Sequence, residues 1–209
     1  MTRSAAALCL YVVWLALAFA LRTMLQLLRT GSSGFKGVSG QLFSWEWTAG
    51  VLFVVALVLG VLAPIAGMVG WGDPLLDTSV ARIGGVTAVL GVVLTLAAQV
   101  SMGDSWRIGV DRAERTALVT AGAFAVCRNP IFSAMVVTAF GLMLLVGTAL
   151  AFVGFAALMI ALELQVRIVE EPYLLEVHPA EYDAYAARVG RFVPLFGRIK
   201  NREDLPASL

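Results

Sequence analysis

"IFSAMVVTAFGLMLLVGTALAFVGFAALMIALELQV" (Ile131–Val166) decides the fold. A helix crosses the hydrocarbon of a bilayer with about 20 apolar residues. This run is too long for one crossing and just long enough for two joined tightly. Gly147-Thr148 near its middle is the natural turn. Reading outward, Val80–Val100, Thr48–Val69 and Ala5–Leu28 are each long and apolar enough for one further span. The expectation is an all-α integral membrane protein of about five transmembrane helices, the last two a helical hairpin, followed by a C-terminal helix outside the bilayer.

Composition agrees. The chain is 60% hydrophobic and 14% charged, where soluble domains run about half and about a quarter. Mean hydropathy is +0.88. A net charge of +1 supplies no basic field for nucleic acid. Cys9 and Cys127 form neither a disulfide framework nor a metal cluster, and His178 is the one histidine, so no metal site is expected. Arg3 and the run ending in Ala18-Phe19-Ala20 resemble a signal peptide with its cleavage site. The apolar run continues through Leu28, so an uncleaved first span is expected.

Basic residues set the orientation of membrane helices. With five spans, the N-terminal side carries only Arg3 and Arg82. The opposite side carries every other Lys and Arg except Arg22, which lies within the first span. That side is expected to be cytoplasmic, with the N-terminus out and the C-terminus in. Trp45, Trp47 and Trp71 flank the second span as interfacial anchors. The glycine-rich Thr30–Gly40 reads as a flexible linker.

Polar residues gather on the basic side in three places. The first, Ser101–Thr120, mixes charges with Trp106, and Asp111, Arg112, Glu114 and Arg115 suggest a helical turn. The second is "CRNPIFSA" (Cys127–Ala134). Asn129 is a favoured N-cap and Pro130 a favoured first helical residue. A helix starting there turns its free N–H groups to the polar side, where an anion can bind, and Arg128 adds a full charge. The third is Ala161–Pro194. Glu163, Arg167, Glu170 and Glu171 share or nearly share one helical face by spacing. Pro172 is expected to disrupt that helix. A following helix to Arg188 would carry an apolar stripe of Leu174, Leu175, Tyr182, Tyr185 and Val189. His178 before Pro179 reads as a turn residue.

These segments together resemble the isoprenylcysteine carboxyl methyltransferase family and its relatives, the phospholipid N-methyltransferases. The matching residues are Gly122-Ala123-Phe124, then Arg128-Asn129-Pro130, Phe132 and Ser133. Beyond the hairpin they are Arg167, Glu170-Glu171, Leu174, Glu181-Tyr182, Tyr185 and Arg191-Phe192-Val193-Pro194. Trp106-Arg107 and Leu118-Val119-Thr120 look like the bacterial branch, which implies a bacterial inner membrane. Asn129 stands where the family carries His, and Ala123-Phe124 where it carries Pro-Tyr.

The resemblance implies a methyltransferase core (101–194); three N-terminal spans (1–100) are expected before it and a polar tail (195–209) after it. It implies S-adenosylmethionine as cofactor, S-adenosylhomocysteine as product, and a lipophilic or lipidated acceptor drawn from the membrane lipid phase. A prenylated cysteine, an isoprenoid acid, a thiol or a phospholipid amine all remain open as that acceptor. Candidate catalytic residues are Arg128, Arg167 and Glu171. Candidate cofactor-binding residues are Gly122, Phe124, Arg128, Asn129, Pro130, Glu170, Glu171, Tyr182 and Tyr185. Glu170 or Glu171 suits the cofactor's amino group, Arg128 and the helix start its carboxylate, and Phe124, Tyr182 and Tyr185 its adenine. Arg167 would orient the acceptor. The competing readings are a non-catalytic membrane protein, or a family member that binds the cofactor without turnover.

Overall fold

The computed structural model describes residues 2–33, 37, 40–103 and 117–199. The expected turn at Asp111–Arg115, Trp106-Arg107, part of the glycine-rich linker and the end of the tail lie outside the described residues. Among the described residues six helices follow in order: α1 (Arg3–Thr30), α2 (Trp45–Met68), α3 (Thr78–Met102), α4 (Pro130–Val146), α5 (Ala149–Val177) and α6 (Pro179–Ala186). Four of them, α1, α2, α3 and α5, are long and apolar enough to cross a membrane. The fifth apolar helix, α4, has 17 residues, at the short end of what a crossing needs.

The caps are local chemistry. Ser44 Oγ accepts from Trp47 N at 3.1 Å, and Asp77 Oδ1 from Ser79 N and Val80 N at 2.8 and 3.0 Å. The α4–α5 turn falls at the expected Gly147-Thr148. Gly147 ends α4 with φ +71°, a conformation that suits glycine, and its carbonyl accepts from Leu75 N at 2.8 Å.

Although α4 and α5 are joined as a hairpin, their most extensive contacts are elsewhere: α4 packs mainly on α3, and α5 on α2. Small residues allow the α3–α4 approach. A Cβ placed on Gly141 would stand 2.3 Å from Ala88 N, and one on Gly91 would stand 2.4 Å from Thr138 N. Close backbone contact of this kind drives helix association where lipid removes the hydrophobic drive. Large apolar side chains meanwhile face outward, with Val58, Val86, Val93 and Ile160 all at least half exposed, as a lipid-facing surface requires.

Two π-helical turns interrupt the long helices, Ala16–Leu21 in α1 and Gln165–Glu170 in α5. In the first, the Ala18 carbonyl accepts from Gln99 Nε2 of α3 at 2.7 Å. The second changes the reading of the C-terminal region. Pro172 does not end α5. The π turn has already abandoned the i→i−4 pattern ahead of it, so the missing N–H has little left to break. The break comes instead at His178 (φ −131°, ψ 58°), and α6 starts at Pro179. The expected stripe survives this shift. Tyr182, Tyr185, Ala186 and Ile199 form a small core with Leu174, Leu175 and Val189 packed on it.

Candidate functional site

The site is assembled where the chain enters α4. Residues 122–125 form a 3-10 turn whose Phe124 is buried. Cys127 then pairs in parallel with Gly190. Arg128 N donates to Gly190 O at 2.8 Å and Asn129 N to Arg191 O at 3.0 Å. The entry to α4 is thus stitched to the segment that follows α6.

Arg128 is the hub. Its Nη1 donates to Ala186 O at 3.1 Å and Val189 O at 2.6 Å. Its Nη2 donates to Glu171 Oε1 at 2.6 Å and Gly197 O at 3.1 Å. Nε is buried with no acceptor among the described residues. Glu171, 1% exposed, also receives Arg191, from Nε to Oε1 at 2.8 Å and from Nη2 to Oε2 at 2.9 Å. One carboxylate therefore joins two guanidinium groups inside the protein. Glu171 raises the Arg191 pKa against an opposing desolvation, the largest contribution.

The tyrosines close over this triad. Tyr182 is 1% exposed. Burial pushes its hydroxyl pKa up, the Glu171 carboxylate adds to the shift, and Arg128 opposes it. Tyr185 donates to Phe124 O at 2.6 Å, and burial pushes its pKa up to about 12. Both phenols are neutral across the physiological range.

The structure thus brings Phe124, Arg128, Glu171, Tyr182 and Tyr185 into one buried cluster, with the half-buried Asn129 at its edge. Glu170 is half-buried at the end of the π turn, its Oε1 3.5 Å from Gln165 Nε2, and its charge reaches Tyr182. Gly122 (φ +62°) faces Ser101 at the edge of the cluster. Pro130 is buried as the first residue of α4. Asn129 holds the N-cap position, but its side chain does not cap. Its Nδ2 donates instead to Arg191 O at 3.1 Å.

Arg167 stands apart. It pairs with Glu163 at 2.5 Å, both half-exposed. The expected common face of Glu163, Arg167, Glu170 and Glu171 does not form. The π turn Gln165–Glu170 contains Arg167 and ends just before Glu171, and its extra residue per turn swings Glu171 inward. His178 is half-buried with Nδ1 3.6 Å from Glu181 Oε2. Among the described residues no group of three His, Cys, Asp or Glu is placed to hold a metal.

Sequence reasoning missed Arg191 as a site residue. The available signal was its place in Arg-Phe-x-Pro, twenty residues after Glu171. It also missed Ser133, whose Oγ lies 2.6 Å from Phe192 O and holds the same return segment against α4.

A bundle of membrane-length apolar helices, with a buried ionic cluster where the chain enters α4, is the architecture of an integral membrane protein. Comparison with known families gives the class a name: residues 80–181 match the phospholipid methyltransferase family, which covers the isoprenylcysteine carboxyl methyltransferases. The match runs from α3 to the start of α6. It includes Arg128, Glu170 and Glu171 and stops before Tyr182 and Arg191. The match implies a membrane-associated methyltransferase acting on lipid-like substrates. No curated protein matches the chain.

Proposed function

We propose that the chain transfers a methyl group from S-adenosylmethionine to a lipophilic acceptor at the cytoplasmic face of the membrane. The observation that carries this reading is the Arg128–Glu171 contact, which locks the entry of α4 to the end of α5 beneath Tyr182. The basic residues on that side of the five spans support the cytoplasmic orientation.

The residues present fit the cofactor's polar groups, with the two glutamates in different roles. Glu171 is enclosed and neutralised by two guanidinium groups, so it positions the site. Glu170, half-buried at the edge of the same cluster, is the carboxylate suited to an ammonium group. The buried Arg128 Nε–H is the donor that the hub has left for a carboxylate. Phe124, Tyr182 and Tyr185 provide aromatic surface for adenine. Arg167, half-exposed on α5 beside Glu163, would orient an acceptor arriving from lipid.

The bound cofactor supplies an electrophilic methyl group on a sulfonium. The protein's task is to hold donor and acceptor in line, and alignment alone can supply about 7–11 kcal/mol. A carboxylate acceptor needs no general base, so an asparagine at position 129 is compatible with turnover.

The test is transfer of radiolabelled methyl from S-adenosylmethionine into a total lipid extract by the purified protein, beside calorimetry with S-adenosylhomocysteine. Binding with transfer is the expected result. Binding without transfer identifies a degenerate member, and absence of binding removes the cofactor assignment.

A further inference from the structure

We infer that the 191–197 loop, "RFVPLFG", is a membrane-contacting edge whose Val193, Leu195 and Phe196 side chains enter the headgroup boundary of the leaflet at the α4-entry end. These side chains are 54%, 67% and 74% exposed, in a segment expected from the sequence to open a polar tail.

Depth is the first argument. Ser133 Oγ holds Phe192 O at 2.6 Å, and the Asn129 backbone and side chain hold Arg191 O at 3.0 and 3.1 Å. The loop is therefore pinned to the first turn of α4. Counting back from the Gly147-Thr148 turn at 1.5 Å per residue, Ser133 on α4 and Glu163 on α5 both lie about 20 Å away. Glu163 and Arg167 are the first charges α5 shows after its apolar run. The loop thus sits where the helices pass from lipid to headgroups.

The second argument is its backbone. A polar chain entering that boundary must satisfy its own hydrogen bonds. Here Arg191 N donates to Phe196 O at 2.8 Å and Phe196 N to Val193 O at 3.2 Å, while Gly197 O is taken by Arg128. Gly190 lets the loop curl this tightly, since a Cβ there would stand 2.1 Å from Val193 O. Backbone polarity turns inward and apolar side chains turn out.

Charge is the third. Exposed Arg188 and Arg198 flank the apolar tip, the pairing of apolar and basic groups that favours an acidic leaflet. An apolar tip between two basic residues, pinned to the first turn of the apolar helix α4, suits lipid rather than a second protein as its occupant.

The experiment uses the full chain with Cys9→Ser, one copy per nanodisc of mixed phosphatidylcholine and phosphatidylglycerol. Nitroxide is attached at Phe196→Cys, at Val193→Cys, and at Glu181→Cys on α6 as the aqueous control. Power saturation should show the oxygen-to-nickel-chelate accessibility ratio several-fold higher at 196 and 193 than at 181. Labels at 196 and 193 as open to the nickel chelate as the one at 181 overturn the inference. So do labels shielded from both reagents, which mark a protein-covered surface. The readout does not depend on cofactor binding or turnover, so it stands or falls separately from the methyltransferase assignment.

Discussion

Adjacent glutamates with opposite environments carry the site at the residue scale. Glu171 is 1% exposed between Arg128 and Arg191, and Glu170 beside it is half-buried. Removing one partner from a buried charge cluster typically costs about 3–5 kcal/mol, because the remaining charges stay buried. Glu171→Gln is therefore expected to lower the unfolding temperature and abolish S-adenosylhomocysteine binding together. Glu170→Gln should weaken binding while leaving the unfolding temperature close to that of the wild type. Calorimetry and thermal unfolding on both variants check this. A stable Glu171→Gln protein that binds normally would contradict the positioning role. Spacing on an ideal helix predicted both glutamates near Arg167, and their proximity in the chain was legible. Which one is buried was not, because the π turn decides it.

That turn makes the argument at the scale of the element. An α-helix rotates about 100° per residue, so a single extra residue redirects everything beyond it. Deleting Ile168, inside the π segment Gln165–Glu170, should restore α periodicity and carry Glu171 away from Arg128. The expected outcome is lost cofactor binding with helical content near that of the wild type by circular dichroism. Binding retained in the deletion variant would show that the π turn has no part in forming the site. The same element explains why Pro172 is tolerated within α5. It was expected as a helix end because proline removes a donor, and the sequence carries no clear sign of a π turn ahead of it. Capping, by contrast, was readable where it is local. Asn129-Pro130 marked the start of α4 and Gly147 its end, although the Asn129 amide turns to Arg191 O rather than to its own helix.

For the whole molecule the question is which helices pair. Connectivity points to α4 with α5. The principal contacts are α4 with α3 and α5 with α2, and the close α3–α4 approach depends on glycines. Gly141→Ala would place a methyl 2.3 Å from Ala88 N. That contact is backbone and cannot rotate aside, so α3 and α4 must part. The expected loss is about 1–3 kcal/mol, seen as earlier unfolding in a detergent titration, with weaker S-adenosylhomocysteine binding if the parting reaches Ser101 and the 122–125 turn. Gly85→Ala, whose added methyl would meet only Leu145 Cδ1 at 3.9 Å, should be close to neutral.

The sequence by itself determined the membrane class, the five apolar helices, the hairpin turn and the family, because each rests on local composition, on segment length or on a linear motif. It also singled out Arg128, Glu171, Tyr182 and Tyr185, which the fold buries in one cluster. The tertiary structure alone decided that Arg128 and Glu171 bind each other, that Arg191 completes them, that Arg167 stays outside, and that Leu195 and Phe196 face outward from a pinned loop. Those facts depend on the rotation introduced by one π turn and on hydrogen bonds between positions some sixty residues apart. No local preference encodes such contacts, since they exist only once the return segment has closed on the start of α4.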